Sequence, residues 1–356
     1  MKKSDKLMAL ISIWGILLVL IGHSGFTDLE IASKLSDIHL WIYSFHMPLF
    51  FFVSGYLYSL TNKSFNKINR RKFMWKKFKR LLIPYFVLGT IIFVIKLVFS
   101  SLSSVTREFS IKGFIYMFLV PQSADSTLGF LWYVETLFVI FLIVSVIPPT
   151  AHVYSDRSRI SLKNSAFTIC NIILCWGLWF FLPSSSKASF LNLTSVLWYL
   201  PFFLFGILFQ TNGGENMIFK ISRGKAAYFW ILLCLVIHIS LLFGLRPYIP
   251  IKICNILTAL SGLSFSILLC QKLLSFRFIH KLILPQSDKV YTLYLLSWFG
   301  QYPAQILTIN ILHLNWFICF CAIFISSTLF PLIVHWIIGK LSKKYNLTFI
   351  KLTIGY

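Results

Sequence analysis

Long apolar runs separated by short polar ones dominate this chain. Ten runs stand out, near residues 7–23, 38–60, 81–100, 128–148, 165–183, 191–211, 226–245, 250–270, 289–310 and 315–339. Each is long enough, as a helix, to cross about 30 Å of hydrocarbon, the longer ones with a tilt or a kink. The stretch 111–120 is apolar but short and stops at Pro121, which predicts a re-entrant or interfacial helix. No internal repeat, low-complexity tract or appended soluble domain breaks the pattern. The expected fold is an all-α polytopic membrane protein of about ten transmembrane helices, with 1–356 as a single transmembrane domain.

Composition sharpens this picture. The 356 residues are 58% hydrophobic, 18% aromatic and only 12% charged, with a mean hydropathy of +0.80. A soluble domain of this length has no use for so much apolar surface. The net charge of +23 does not point to nucleic acid, because the basic residues sit in short connections between apolar runs, as in cytoplasmic loops facing anionic lipid. With both termini cytoplasmic, 26 of the 33 Lys and Arg fall inside and 7 outside, the bias expected of that orientation. The N-terminal MKKSDK and the apolar run behind it lack a small-x-small cleavage site, so the run is read as a retained first helix. All seven cysteines lie inside apolar runs with no metal-ligand spacing; no metal and no disulfide framework is expected.

One stretch, Ile38–Tyr58, carries polar residues that mere spanning does not require: His46, Pro48, Ser54 and Gly55. A buried ionisable group at membrane depth costs at least a few kcal/mol unless it is paired or faces water. Pro48 lacks an N–H and frees the carbonyl of Ser44 one turn back. His23 closes the preceding run as Gly22-His23-Ser24, and Glu135 is the one acidic residue well inside a span. In the ten-helix topology these three fall in the outer half of the bilayer. For Glu135 the alternative is a buried ion pair or hydrogen bond locking two helices; for His46 it is an interhelical hydrogen bond. His39, His152, His238, His280, His313 and His335 are read as packing or solvated residues. The aromatic surplus reads mostly as lipid-facing packing and interface belts; Trp132, one turn before Glu135 on the same face, has the alternative of stacking on a sugar ring, and Ser54 joins it as a candidate substrate-binding residue.

The segment 61–80 holds nine basic residues among Phe65, Phe73, Trp75 and Phe78. It reads either as a juxtamembrane helix on anionic lipid or as a docking surface for a polyanionic nucleotide cofactor. In the second case Arg70, Arg71, Lys77 and Arg80 are the phosphate-binding candidates.

Gly22-His23-Ser24 at the end of the first run, followed by FHMPLFFFVSGY at 45–56, resembles the membrane acyltransferase-3 family, in particular its fucose 4-O-acetylase and surface-polysaccharide O-acetyltransferase branch. RLLIPY at 80–85, LWYV at 131–134, YLPFFLFG at 199–206 and YTLYLL at 291–296 extend the resemblance over essentially the whole chain. It implies a ten-helix enzyme of the bacterial inner or plasma membrane that moves an acyl group, usually acetyl, from cytosolic acetyl-CoA to a hydroxyl of a cell-envelope glycan or its lipid-linked precursor. It also implies that His23 is the catalytic base or acyl relay, and that the basic stretch ending at Arg80 helps to bind the coenzyme phosphates. Glu135 is expected to orient the imidazole, and His46 to position the carbonyl oxygen or the second helix. The chain departs from the family pattern twice. Ile11-Ser12-Ile13-Trp14 stands where an Arg or Lys is usual, and Leu296-Ser297-Trp298 where Leu-His is usual. The alternative from another class is a transporter or flippase for lipid-linked sugars, for which an inverted repeat is expected and none is visible.

Overall fold

The computed structural model describes residues 3–25, 28–61, 67–98, 110–122, 128, 130–146, 162–183, 189–222 and 224–356. Helix makes up 86% of the structure, and no strand occurs among the described residues. In chain order the helices are α1 (Lys3–His23), α2 (Leu29–Lys34), α3 (Ser36–Tyr43), α4 (His46–Thr61), α5 (Lys67–Val98), α6 (Ile111–Leu119), α7 (Trp132–Val146), α8 (Leu162–Phe181), α9 (Leu193–Thr211), α10 (Gly214–Ile221), α11 (Ala226–Ile239), α12 (Ile251–Leu273), α13 (Val290–Gln305), α14 (Trp316–Leu341) and α15 (Thr348–Thr353). Among the described residues, seven stretches are helical, long and apolar enough to cross a membrane: Asp5–His23, Ser36–Thr61, Arg70–Val98, Phe190–Thr211, Ala226–Gly244, Ile251–Leu273 and Trp316–Leu341. The other three expected spans fall on α7, α8 and α13, where Trp132–Val146 and Ser165–Phe181 are the shorter apolar helices. The expected loop 149–165, with His152, lies mostly outside the described residues.

The chain divides into two compact units, Met1–Ser59 with Phe205–Leu332, and Leu60–Leu204 with Ile333–Tyr356. In the first, α1 packs on α12 and α13, and α11 lies along α12. Gly206 lets backbones touch: a Cβ there would stand 2.1 Å from the carbonyl oxygen of Phe52 on α4. Such small-residue contacts are how helices associate where lipid tails are as apolar as the side chains. His238 is fully buried on α11 and satisfied on both sides. Its Nε2 lies 3.2 Å from Ser44 Oγ, and its Nδ1 lies 3.0 Å from the Thr258 carbonyl and 3.0 Å from Ser261 Oγ. The packing reading of that histidine holds.

In the second unit α5 packs along α7, and the C-terminal α15 packs on α5. Helix α8 leaves Ile173, Leu174, Leu178 and Phe181 exposed, Phe181 by 87%. Apolar surface of that extent suits lipid as the surrounding solvent.

Two expectations change. The second span, Ser36–Thr61, is interrupted at Ser44–Phe45, between α3 and α4. Pro48 then sits in the first turn of α4, where a missing N–H breaks no ladder. The basic segment is no loop either, since from Lys67 onward it is the first half of α5, continuous with the third span. Lys and Arg are good helix formers, and no Gly or Pro separates Lys67 from Arg80. Residues 62–66 of that segment lie outside the described residues.

Candidate functional site

His23 is the last residue of α1 and is half-buried. The chain turns immediately after it through Gly25, whose φ of 81° is left-handed. Its carbonyl is held by the Gly25 N–H at 2.9 Å and by the side-chain amide of Gln301 on α13. The imidazole meets Tyr43 at the end of α3: the phenolic oxygen lies 3.1 Å from Nδ1 and 3.4 Å from Nε2. The same hydroxyl donates to the Gly22 carbonyl at 3.4 Å. Gly22 makes room for the ring, because a Cβ there would stand 3.0 Å from Tyr43 Cε2.

Tyr43 also gathers the other histidines of this end of the unit. Its ring centroid is 3.9 Å from that of His39 and 4.8 Å from that of His46. His46 is 2% exposed, and its Nδ1–H donates to the Ile42 carbonyl at 2.9 Å. The helix break at residues 44–45 leaves that carbonyl within reach of the side chain. Ser54 lies two turns further along α4, half-buried.

Glu135 belongs to the second unit and has its own company. It stands in the first turn of α7, where the helix dipole favours a carboxylate, and is 4% exposed. Its Oε2 accepts from Asn192 Nδ2 at 3.2 Å and lies 3.4 Å from the Tyr85 hydroxyl, which also donates to the Phe118 carbonyl at 3.0 Å. Asn192 is fully buried and reaches the carbonyl of Trp132 as well, at 3.5 Å. Glu135 Oε1 and Asn192 Oδ1 are buried with no hydrogen-bond partner among the described residues. An unmade bond of this kind costs about 1–3 kcal/mol each. Leu191 and Asn192 hold φ of 49° and 50°, a left-handed pair ahead of α9. Such backbone strain, of order 1–3 kcal/mol for each residue, persists only where the surroundings enforce it. Trp132 pairs with Tyr199 at 5.3 Å between centroids.

Arg70, Phe73, Lys77 and Arg80 recur at helical spacing along one face of α5. Lys77 is turned inward: its Nζ sits 4.1 Å from the centre of the Phe141 ring and 5.2 Å from that of Phe73. Arg70 buries its Nε without a partner among the described residues, while Arg71 and Arg80 are exposed.

At the first departure from the family pattern, Trp14 Nε1 donates to Ser266 Oγ at 3.3 Å, a neutral link where a cation is usual. At the second, Ser297 Oγ bonds back to the Tyr294 carbonyl at 3.3 Å. Sequence reasoning missed Tyr43, Gln301 and Asn192. Tyrosine and amide side chains carry no signal in an aromatic-rich chain until folding supplies their partners. His39, read as a solvated residue, belongs with Tyr43.

A family described as an acyltransferase domain matches residues 10–336. No curated protein and no solved structure matches the chain.

Proposed function

Because the chain belongs to the membrane acyltransferase-3 family and is a multi-pass membrane protein, we propose that it is an O-acetyltransferase of the cell envelope, with acetyl-CoA as donor and a glycan or lipid-linked glycan hydroxyl as acceptor. The same reading has ten crossings with both termini in the cytoplasm, on the charge bias of the connecting segments.

The observation that carries the proposal is the arrangement at the end of α1, where an imidazole is pinned through its backbone and held at its ring by Tyr43. His23 acts as general base. It takes the proton of the acceptor hydroxyl as that oxygen attacks the thioester carbonyl; collapse of the tetrahedral intermediate expels the coenzyme thiolate and forms the ester. With its own proton given to the Gly22 carbonyl, the Tyr43 hydroxyl accepts from a ring N–H of His23, and the other ring nitrogen keeps its lone pair for the proton. Tyr43 thereby takes the orienting part expected of Glu135, whose hydrogen bonds go to Tyr85 and Asn192. His46, locked to Ile42, shapes the same end of the unit.

Arg70, Arg71 and Arg80 hold the coenzyme phosphates, an assignment supported by the buried, unpartnered Nε of Arg70. Lys77 serves instead to seat α5 on α7. The test is the surface glycan of cells with and without the gene. An alkali-labile acetyl ester that disappears with the gene supports transfer; an unchanged glycan with altered export of its precursor supports a transporter.

A further inference from the structure

We infer that His39 is a positioning residue for the reaction at His23: its ring covers Tyr43 and keeps the phenol hydroxyl at the His23 imidazole. The effect on rate rests on the acyl-transfer reading above; the contact itself does not. His39 and Tyr43 stand four residues apart on α3, the spacing at which side chains of one helix meet. Their ring centroids are 3.9 Å apart and their planes 33° from parallel. At that separation one ring has to lie over the other. His46 meets the same phenol ring more steeply, at 4.8 Å and 63°, and His23 at 5.8 Å and 72°. Gly22 lies against its edge, where a Cβ would stand 3.0 Å from Cε2.

Tyr43 needs such a hold. It is 40% exposed, so core packing does not enclose it. It ends a helix of eight residues, just before the interruption at Ser44–Phe45, and a helix this short is not rigid by itself. Its hydroxyl contacts, 3.1 Å to His23 Nδ1 and 3.4 Å to the Gly22 carbonyl, are at the long end of the range for a hydroxyl. A half-exposed phenol has other staggered rotamers that would carry its hydroxyl away from His23. A flat ring laid on its face disfavours those rotamers, and the position one turn earlier on α3 supplies that ring. The geometry uses the plane of His39, which makes a definite demand on any replacement.

The test uses the full chain in lipid nanodiscs. His39→Ala should lower kcat about three- to tenfold, the population that an aromatic pair of this kind commands, with the KM for acetyl-CoA unchanged. His39→Phe keeps a flat ring without ring nitrogens and should restore kcat to within about twofold. In a Tyr43→Phe background, His39→Ala should cost nothing further, because residues that act through one contact are not additive. His39→Leu, which keeps bulk without a plane, takes the place of His39→Ala if the latter does not insert. A fluorinated tyrosine at position 43 reads the ring directly by fluorine NMR. Its signal should be the same in the otherwise unaltered chain and in His39→Phe, and should shift in His39→Ala.

An unchanged kcat and fluorine signal in His39→Ala overturns the inference. So does a His39→Phe as slow as His39→Ala, which would assign the role to the ring nitrogens, or a further loss in the Tyr43→Phe background, which would make His39 act independently of Tyr43. A fluorine signal that follows the ring at position 39, in a protein that never turns over acetyl-CoA, keeps the hold on Tyr43 and removes the acyl-transfer reading instead.

Discussion

The chemistry proposed for His23 turns on the difference between an imidazole and an amide. An imidazole titrates near neutral pH and can take a proton from a hydroxyl, whereas an amide cannot. His23→Gln should therefore lose about 10²–10⁴ of the transfer rate, while the protein still inserts, because a half-buried residue at a helix end contributes little packing. Initial rates with purified protein check this, and a near wild-type rate would remove the base role. Tyr43→Phe keeps the ring against Gly22 and loses only the hydroxyl that reaches Nδ1. It should lower kcat about tenfold, the low end for residues that orient a reactive histidine, and leave KM for acetyl-CoA unchanged. An equal loss through KM instead would make Tyr43 a binding residue. Of this cluster, His23 and His46 were legible from their cost inside apolar runs. Tyr43 was not, since it lies 20 residues from His23 along the chain and only folding brings the two together.

At the scale of elements, the close approaches between helices set what can change. Gly206→Ala would drive a methyl group into the Phe52 carbonyl, and backbone cannot step aside as a side chain can. A loss of at least about 1–3 kcal/mol is expected, read as a lower thermal midpoint in detergent and a smaller monodisperse fraction. The basic half of α5 offers a second test. Arg71 and Arg80 are exposed, so replacing both by Ala should raise the KM for acetyl-CoA by tenfold or more, given about 1.5–3 kcal/mol for each well-formed charged hydrogen bond. Unchanged affinity would return this half-helix to a role on anionic lipid. The segment reads as a loop when basic residues are taken to mark connections, but helix propensity and continuity with the third span decide otherwise.

For the whole molecule the first question is orientation, and the orientation proposed from the charge bias is one that labelling can check. In a background without the exposed Cys170, a cysteine at Asp28 should react with membrane-impermeant maleimide on intact cells, and one at Lys72 only after permeabilisation. Labelling of Lys72→Cys from outside would invert the topology. Sequence by itself determined the class of fold, because apolar runs of membrane length have one solution in lipid, the helix, in which every backbone group is satisfied within its own segment. It also determined the family, through motifs local to single helices, and singled out His23 and Glu135 as costly residues needing a reason. Tertiary structure decided the company these residues keep. Tyr43 beside His23 spans 20 residues of chain, Asn192 beside Glu135 spans 57, and Gln301 on the His23 carbonyl spans 278. Periodicity reports only which face of an element is apolar, whereas these hydrogen bonds join residues that only the folded chain brings together, Asn192 among them through its left-handed pair with Leu191.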